Sequence, residues 1–405
     1  MKSALILLVC AAAASGAEPK FVKLFNGKNL KGWEQCNGKA KYHVEDKAIV
    51  GTTVEGSPNS FLCTEREYGD FVLEFEVKVD PVLNSGVQIR SHRHDAERVV
   101  RFSDGKQVRN WKIPAGRFHG YQVEIANNKD GSSGGIYDEA RRGWLKDPAK
   151  DPVASKAFKD NEWNLYRVEA VGDRLRTWVN GVPVVEVIDS WDLSGYIGLQ
   201  VHSFKGEKPA QVRWRNIRIQ DLGRHTWKRV WDGSTMTGWT PRGGGSWKIE
   251  EGALHGASVA GDTRVGYLVS DESFKDLTLR WKTKITKGNS GLFIRSEPKT
   301  LAAYEVEIDA QKRMGGFWET GGRNWVTGPE DNAGAAANDW NDLTAHLHGH
   351  RIVFQLNGAT TVELPNDEKG RTEGVLALQV HGRMETDVWF KDLEVLVPEA
   401  KTKKK

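Results

Sequence analysis

The stretch NSGVQIR at residues 84–90 returns as NSGLFIR at 289–295, and matching residues surround both copies. LFNGKNLKGW (24–33) pairs with VWDGSTMTGW (230–239), YQVEI (121–125) with YEVEI (304–308), and GGIYDEARRGW (134–144) with GGFWETGGRNW (315–325). LQVH recurs at 199–202 and 378–381. The spacing is 206 residues from Trp33 to Trp239, 205 from Arg90 to Arg295, 183 from Glu124 to Glu307 and 179 from Gln200 to Gln379. A period of roughly 180–200 residues is domain-sized, so the chain is two copies of one domain and not a solenoid of short repeats. The drop from 205 to 183 places a 22-residue insertion in the first copy, between Arg90 and Gly120.

Short runs of alternating apolar and polar residues recur in both copies, whereas amphipathic helical periodicity is scarce, which predicts an all-β chain. RTWVNGVPVVEV and VFQLNGATTVEL are read as hairpins, because Asn180-Gly181 and Asn357-Gly358 supply the two positive-φ positions of a tight turn. Many short strands joined by Gly, Asn and Asp turns suggest two tandem jelly-roll β-sandwiches.

The expected organisation is a leader at 1–17, a first domain at 18–222, a second at 223–398 and a basic tail at 399–405. Met1 and Lys2 precede an apolar run from Ala4 to Ala14 and then Ser15-Gly16-Ala17, the pattern of a secretory signal, so an exported protein is expected, periplasmic or extracellular. That run is too short to span a bilayer, and no later run reaches the length of a membrane helix. Net charge is +4, part of it in the terminal lysines. No basic stripe interleaved with aromatics appears, so nucleic acid is a poor candidate partner. Cys36 and Cys63 allow one disulfide in an oxidising compartment, and two buried thiols fit the sequence almost as well.

Alternation assigns faces. Leu73, Phe75 and Val77 point one way, Glu74 and Glu76 the other. Val87 and Ile89 go to the core, leaving Gln88 and Arg90 opposite, with His92 and His94 continuing that face. Gln122 and Glu124 share the polar side of their strand, as do Gln200 and His202. Singly, these are ordinary solvent faces; together, carboxylates, an Arg and a His resemble the floor of a polar cleft. Glu74 and Glu76 become Arg280 and Lys282 in the second copy, Glu139 becomes Thr320 and Arg141 becomes Gly322. The insertion carrying Trp111 and His119 is also missing there. A single chemical site is therefore expected in the first domain, the second being a degenerate copy that binds a sugar or buttresses the first.

At LFNGKNLKGW, YGDFVLEFEV, NSGVQIR, GYQVEI, SGGIYDEARRGW, Trp163-Asn164 and GYIGLQVH the chain resembles the 3-keto-disaccharide hydrolase family, over nearly all of its length and twice. The resemblance implies a concanavalin A-like jelly roll acting on glycosides oxidised to a ketone at C3, through lyase and hydratase steps. The first copy departs from the family at Ala126, where an acidic residue often follows; the second has Asp309 there. Elimination across C1–C2 needs a base near C2, a positive group at the C3 oxygen and an acid for the departing oxygen. On this reading Glu124 or His202 is the base, and Arg90 stabilises the enolate oxygen or helps to hold a divalent ion. Glu76 or Glu139 protonates the leaving group, Trp144 stacks on the sugar, and Tyr137, Asp138, Arg141 and Arg142 line the rim. Asn84, Gln88, Gln122 and Gln200 are further candidates for sugar contact. A divalent metal is a candidate cofactor, since Glu124, Asp138, Glu139, His92, His94 and His202 offer oxygen and imidazole, although no spacing matches a metal motif. The alternatives are a non-catalytic lectin-like protein, a jelly-roll glycoside hydrolase of ordinary type, whose E-x-D-x-x-E run is absent here, and an extracellular scaffold.

Overall fold

The computed structural model describes residues 19–400; the apolar N-terminal segment and the last five residues, on which the export signal and most of the basic tail fall, lie outside the described residues. The chain divides into two units, one built from the segments up to Val100 and from Trp111 to Thr226, the other from Trp227 to Val397 together with Arg101–Asn110. That short extra piece is the tip of the first copy's insertion, which forms its own two-stranded ribbon, Arg98–Ser103 with Val108–Ile113.

Each unit is a sandwich of antiparallel sheets. In the first, one sheet runs in the order Val182–Ile188, Arg174–Val179, Asn164–Val171, Asp70–Val79, Gln211–Gly223, Ala48–Thr52 and Lys41–Glu45. The other runs Gly143–Lys146, Ile136–Glu139, His119–Ile125, Ser85–His92, Tyr196–Val201, Ser60–Thr64 and Trp33–Asn37. The second unit repeats both orders with the corresponding strands, so the duplication extends to topology. Helical structure among the described residues is limited to one 3-10 turn, Ala154–Lys156.

The strand alternation produces the sandwich. Leu73, Phe75 and Val77 from one sheet meet Val87, Ile89, Tyr121, Val123 and Leu199 from the other in a single buried core, while Glu74 and Glu76 face outward. Asn180 and Gly181 have φ of 50° and 82°, Asn357 and Gly358 of 49° and 80°, the geometry the Asn-Gly hairpins require. Cys36 and Cys63 are bonded, joining edge strand Trp33–Asn37 to its neighbour Ser60–Thr64.

Alternation fails at a matching arginine in each copy, as it does at Asn216 and Asp392. Arg90 has φ 47° and Arg295 φ 53°, left-handed values uncommon for a residue with a side chain. The ladder slips beside Arg90 on both flanks, between His119 and Tyr121 and between Tyr196 and Gly198. The guanidinium consequently turns beneath the sheet, fully buried. Its Nε donates to Gly69 O at 2.8 Å, Nη1 to Gly172 O at 2.6 Å and Nη2 to Asp70 Oδ1 at 3.0 Å. Arg295 does the same, donating to the carbonyls of Lys275, Gly349 and Arg371 at 2.9–3.0 Å and to Asp276 at 3.2 Å. Gly195 and Gly374 sit against the backbone of these arginines, where any Cβ would overlap it.

The expectation that Arg90 faces a cleft is thus corrected: one left-handed residue reverses the side that alternation assigns. Replacing Arg90 by Met removes the cation beside the buried Asp70 and the donors of the Gly69 and Gly172 carbonyls; Arg295→Met removes the donors of three carbonyls and the cation beside Asp276, whose side chain is partly exposed. The first change is expected to cost about 3–5 kcal/mol and the second less, each read as a lower denaturant midpoint. A Lys at either position restores little of it, because one ammonium cannot span acceptors placed for a planar fork.

Candidate active site

The outward face of the sheet containing His119–Ile125 carries a cavity of about 530 Å³. Its lining includes Asn84, Gln122, Glu124, Tyr137, Glu139, Trp144 and His202 from the expected set, together with Asn59 and Arg117. Pairing explains the convergence: Glu124 lies opposite Gly86, and Gly86 lies opposite Gln200, so three neighbouring strands present one face. Gly86 is required at the centre. A Cβ there would come within 2.5 Å of the Gln122 Cδ that lies across it.

A polar relay crosses this floor. Gln200 Nε2 donates to Gln122 Oε1 at 2.9 Å, Gln122 Nε2 donates to Glu124 Oε2 at 3.0 Å, and Asn84 Nδ2 donates to Glu124 Oε1. Burial raises Glu124 above the ordinary glutamate range, and the Asn84 and Gln122 amides oppose the shift. Glu124 is therefore a stronger base than an exposed carboxylate. At the rim, His202 Nδ1 lies 2.8 Å from the Ser203 carbonyl, which can only accept. The proton is thereby fixed on Nδ1, and Nε2 is the lone-pair nitrogen of the neutral ring. Glu139 is held by Arg117 and by Asn59 Nδ2 at 3.2 Å, and Asn59 Oδ1 accepts from Ser203 N at 3.0 Å, tying the histidine loop to the carboxylate. Tyr137 and Trp144 meet edge to face at 5.3 Å, with Trp144 42 % exposed, so they form an open aromatic wall.

Other expected residues lie elsewhere. Glu76 is on the opposite sheet, bound by Arg215 Nε and Asn216 Nδ2, each at 2.7 Å. Asp138, Arg141 and Arg142 do not line a rim; they form a buried ion network. Asp138 accepts from Arg141 Nε at 2.8 Å and Arg142 Nε at 2.6 Å, while Arg142 also grips Asp189 at 2.7 and 3.0 Å. Arg141 reaches Asp192, and Trp191 lies over the Arg142 guanidinium at 3.9 Å. The second copy keeps this clasp as Arg323 with Glu319 and Asp367. Gln88 is sealed in the sheet with its amide atoms unpartnered among the described residues. Gln200 is buried too, acting through the relay and not at the surface.

His92, His94 and His119 cluster with ring centroids 5.3–6.5 Å apart, His92 beside Asp192 at 3.5 Å. Burial pushes His119 down to about 4, so it is neutral. Among the described residues no three His, Cys, Asp or Glu side chains converge as a metal ion requires. The candidate ligands are divided between the cleft, the buried clasp and the histidine cluster, and they do not fit one ion.

Asn59 and Arg117 were not expected. Arg117 sits in the insertion, whose presence in only one copy was the available signal; Asn59 lies in the irregular segment before strand Ser60–Thr64, with no periodic mark.

The second domain repeats much of the floor. Asn289 donates to Glu307, His381 Nδ1 lies 2.6 Å from Gly382 O, and Gln379 takes the place of Gln200. Burial pushes Glu307 up to about 7, with Asp309 adding to the shift and Asn289 opposing it. A carboxyl that holds its proton more tightly folded than unfolded contributes stability below pH 4.5 that is lost as pH rises through about 7. Thermal unfolding of the full chain is expected to show stability falling between pH 5 and pH 8, by an amount on the order of 2–3 kcal/mol from Glu307, and Glu307→Gln is expected to reduce the loss, the remainder coming from the buried Glu305 and Glu124, which are raised in the same direction.

A jelly roll with a polar, aromatic-walled cleft on one sheet has the chemistry to take a sugar ring, and the family to which the chain belongs makes it a carbohydrate-active protein. A family model described as the 3-keto-alpha-glucoside-1,2-lyase-like domain matches residues 20–220 and again 226–396, and the chain belongs to that family. No curated protein matches it. Among solved structures it is similar to carbohydrate-binding module CBM66 from Bacillus subtilis, at 20% identity over 38% of this chain and 93% of that one, TM-score 0.32. It is also similar to a Bacillus licheniformis β-glucanase, at 13% identity over 51% of this chain and 99% of that one, TM-score 0.32. A Bacillus subtilis protein with a galectin-like fold matches at 14% identity over 43% of this chain and 100% of that one, TM-score 0.35. These distant likenesses carry no functional weight.

Proposed function

We propose that the first domain cleaves 3-keto-glycosides by elimination of the C1 substituent followed by hydration, a net hydrolysis. The carrying observation is that Glu124, His202 and the Arg117–Glu139 pair share one cleft. Glu124, as carboxylate, takes the C2 proton made acidic by the C3 ketone. Arg117 stabilises the resulting enolate oxygen, the role first expected of Arg90. As the C2=C3 enolate collapses to re-form the ketone, the C1–C2 double bond forms and the C1–O bond breaks. His202, as imidazolium, gives its Nε2 proton to the departing oxygen. Hydration reverses the roles: neutral His202 takes a proton from water as the oxygen bonds to C1, and the Glu124 carboxyl returns a proton to C2. Both residues end as they began, and the sum is one water consumed per glycoside.

Glu139 serves here as the anchor of Arg117 and not as the acid. Tyr137 and Trp144 supply a face on which a sugar ring stacks. Export to the periplasm or the medium is part of the same proposal, supported by the Cys36–Cys63 bond, which suits an oxidising compartment.

Release of a chromogenic aglycone from a 3-keto-glucoside measures the reaction. Glu124→Gln is expected to lower kcat by about 10²–10⁴ and Arg117→Ala by about 10²–10³. Glu76→Gln, on the far sheet, stays near wild type. Turnover by Glu124→Gln equal to wild type would sink the assignment, and binding without turnover in the wild type would favour the lectin-like alternative. Because Glu124 has to be ionised, the acid limb of kcat/KM is expected above the ordinary glutamate value of 4.5.

A further inference from the structure

Edge strand Trp33–Asn37 of the first domain is built differently from its counterpart Trp239–Gly243. In the second domain the pairing with the neighbouring strand runs unbroken from Trp239 to Gly243, whereas in the first it slips by one residue, Gln35 lying opposite Leu62 and Asn37 opposite Phe61. Cys36 is the extra residue of that bulge, and it is the residue bonded to Cys63. The second copy has Arg242 in the place of Cys36 and Val269 in the place of Cys63, so bulge and disulfide are absent together.

Two links run from the bulge to the cleft. Asn37, next to the bonded cysteine, donates from Nδ2 to Asn59 O at 2.7 Å and accepts at Oδ1 from Phe118 N at 3.2 Å. One amide thus ties together the two segments that deliver Asn59 and Arg117, and both of those side chains hold Glu139. The second link is apolar. Phe61 and Cys63 alternate with the core residue Leu62 and so stand on the outward face, the face that carries the cleft. Phe118 packs there on Phe61 at 5.2 Å, in a buried cluster with Cys63 that Cys36 and Tyr196 border. Gly198 makes the room: a Cβ on it would come within 2.6 Å of Phe118 Cε1, and the second copy, which lacks the insertion, has Ala377 there.

We propose that Asn37 and the Cys36–Cys63 bond are positioning elements for Arg117. A guanidinium at the end of a flexible side chain reaches the enolate oxygen reproducibly only if the backbone beneath it is fixed, and Arg117 lies where the insertion returns to the sheet. The disulfide holds the bulge, the bulge aims Asn37, and Asn37 together with the seat of Phe118 fixes that backbone. Displacing a catalytic group by about 1 Å is enough to cost on the order of 10²-fold in rate. The assignment rests on the elimination proposed for the first domain, because that reaction is what gives Arg117 its role.

The test is steady-state turnover of a chromogenic 3-keto-glucoside by full-length Asn37→Ala and Cys36→Ser/Cys63→Ser, each alone and combined with Arg117→Ala, with crystal structures of the two positioning variants. Each is expected to lower kcat about tenfold or more while KM changes less than about twofold. In the Arg117→Ala background either change is expected to cost no more than about twofold further, since the group it positions is gone; a general loss of packing would cost the same in both backgrounds. The crystal structures are expected to show the Arg117 guanidinium away from Glu139. Should the cysteine variant fail to fold, Asn37→Ala, which keeps the disulfide, decides. A kcat of Asn37→Ala equal to wild type, equal losses with and without Arg117, or Arg117 still seated on Glu139 in the crystal overturns the proposal. Absence of turnover in the wild type sinks the first-domain reading instead, and the crystal structures then decide whether Asn37 and the disulfide place Arg117.

Discussion

Both sandwiches depend on a guanidinium locked beneath a strand. Arg90 and Arg295 each occupy a left-handed position where the central strand bends, and each collects the loose carbonyls of loops at one end of the fold. Buried carbonyls and a buried carboxylate need donors, and one planar fork supplies several at fixed angles. The recurrence of this arginine in both copies therefore marks a requirement of the scaffold. The clasp of Arg142 with Asp189, repeated as Arg323 with Asp367, is a second such requirement. The cleft lies on the outward face of the same sheet, where Tyr137 and Glu139, the neighbours of Asp138, reach it.

Differences between the copies need the same care. The exchange of Glu74 and Glu76 for Arg280 and Lys282 looks like a lost pair of acids. At the first position it is a change of polarity across an unchanged contact, since Glu74 pairs with Arg218 and Arg280 pairs with Glu394 at the same place in the ladder; at the second the partner changes, Glu76 binding Arg215 and Lys282 binding Asp342. Nothing catalytic was lost at those positions. The differences that alter chemistry are at Gln122 and Glu139, which become Glu305 and Thr320, and in the insertion that brings Arg117 to the first cleft.

Much of this was legible in the chain. Duplication, all-β architecture and the Asn-Gly hairpins follow from periodicity and turn chemistry, and alternation correctly put Gln122, Glu124 and Gln200 on one face. It misled at Arg90 because one positive φ inverts the side, and a sequence carries no mark of a left-handed arginine. It misled at Glu76 because alternation tells the two faces of a strand apart but not the two sheets of a sandwich. Asp138, Arg141 and Arg142 were attractive for their charge, yet equal numbers of nearby opposite charges are also what a buried network contains. Asn59 and Arg117 were missed because loops have no period from which to read a direction.

Gly86 and Gly291 have a wider consequence. With hydrogen in place of a side chain, each lets the residue of the adjoining strand lie flat, so the floor has a tile that can be changed without disturbing the sheet below. In one copy the tile is an amide, in the other an acid, and the surrounding Asn, Glu and His are the same. A duplicated scaffold of this kind can diversify its ligand by a single exchange at that tile, while everything that makes it fold stays fixed.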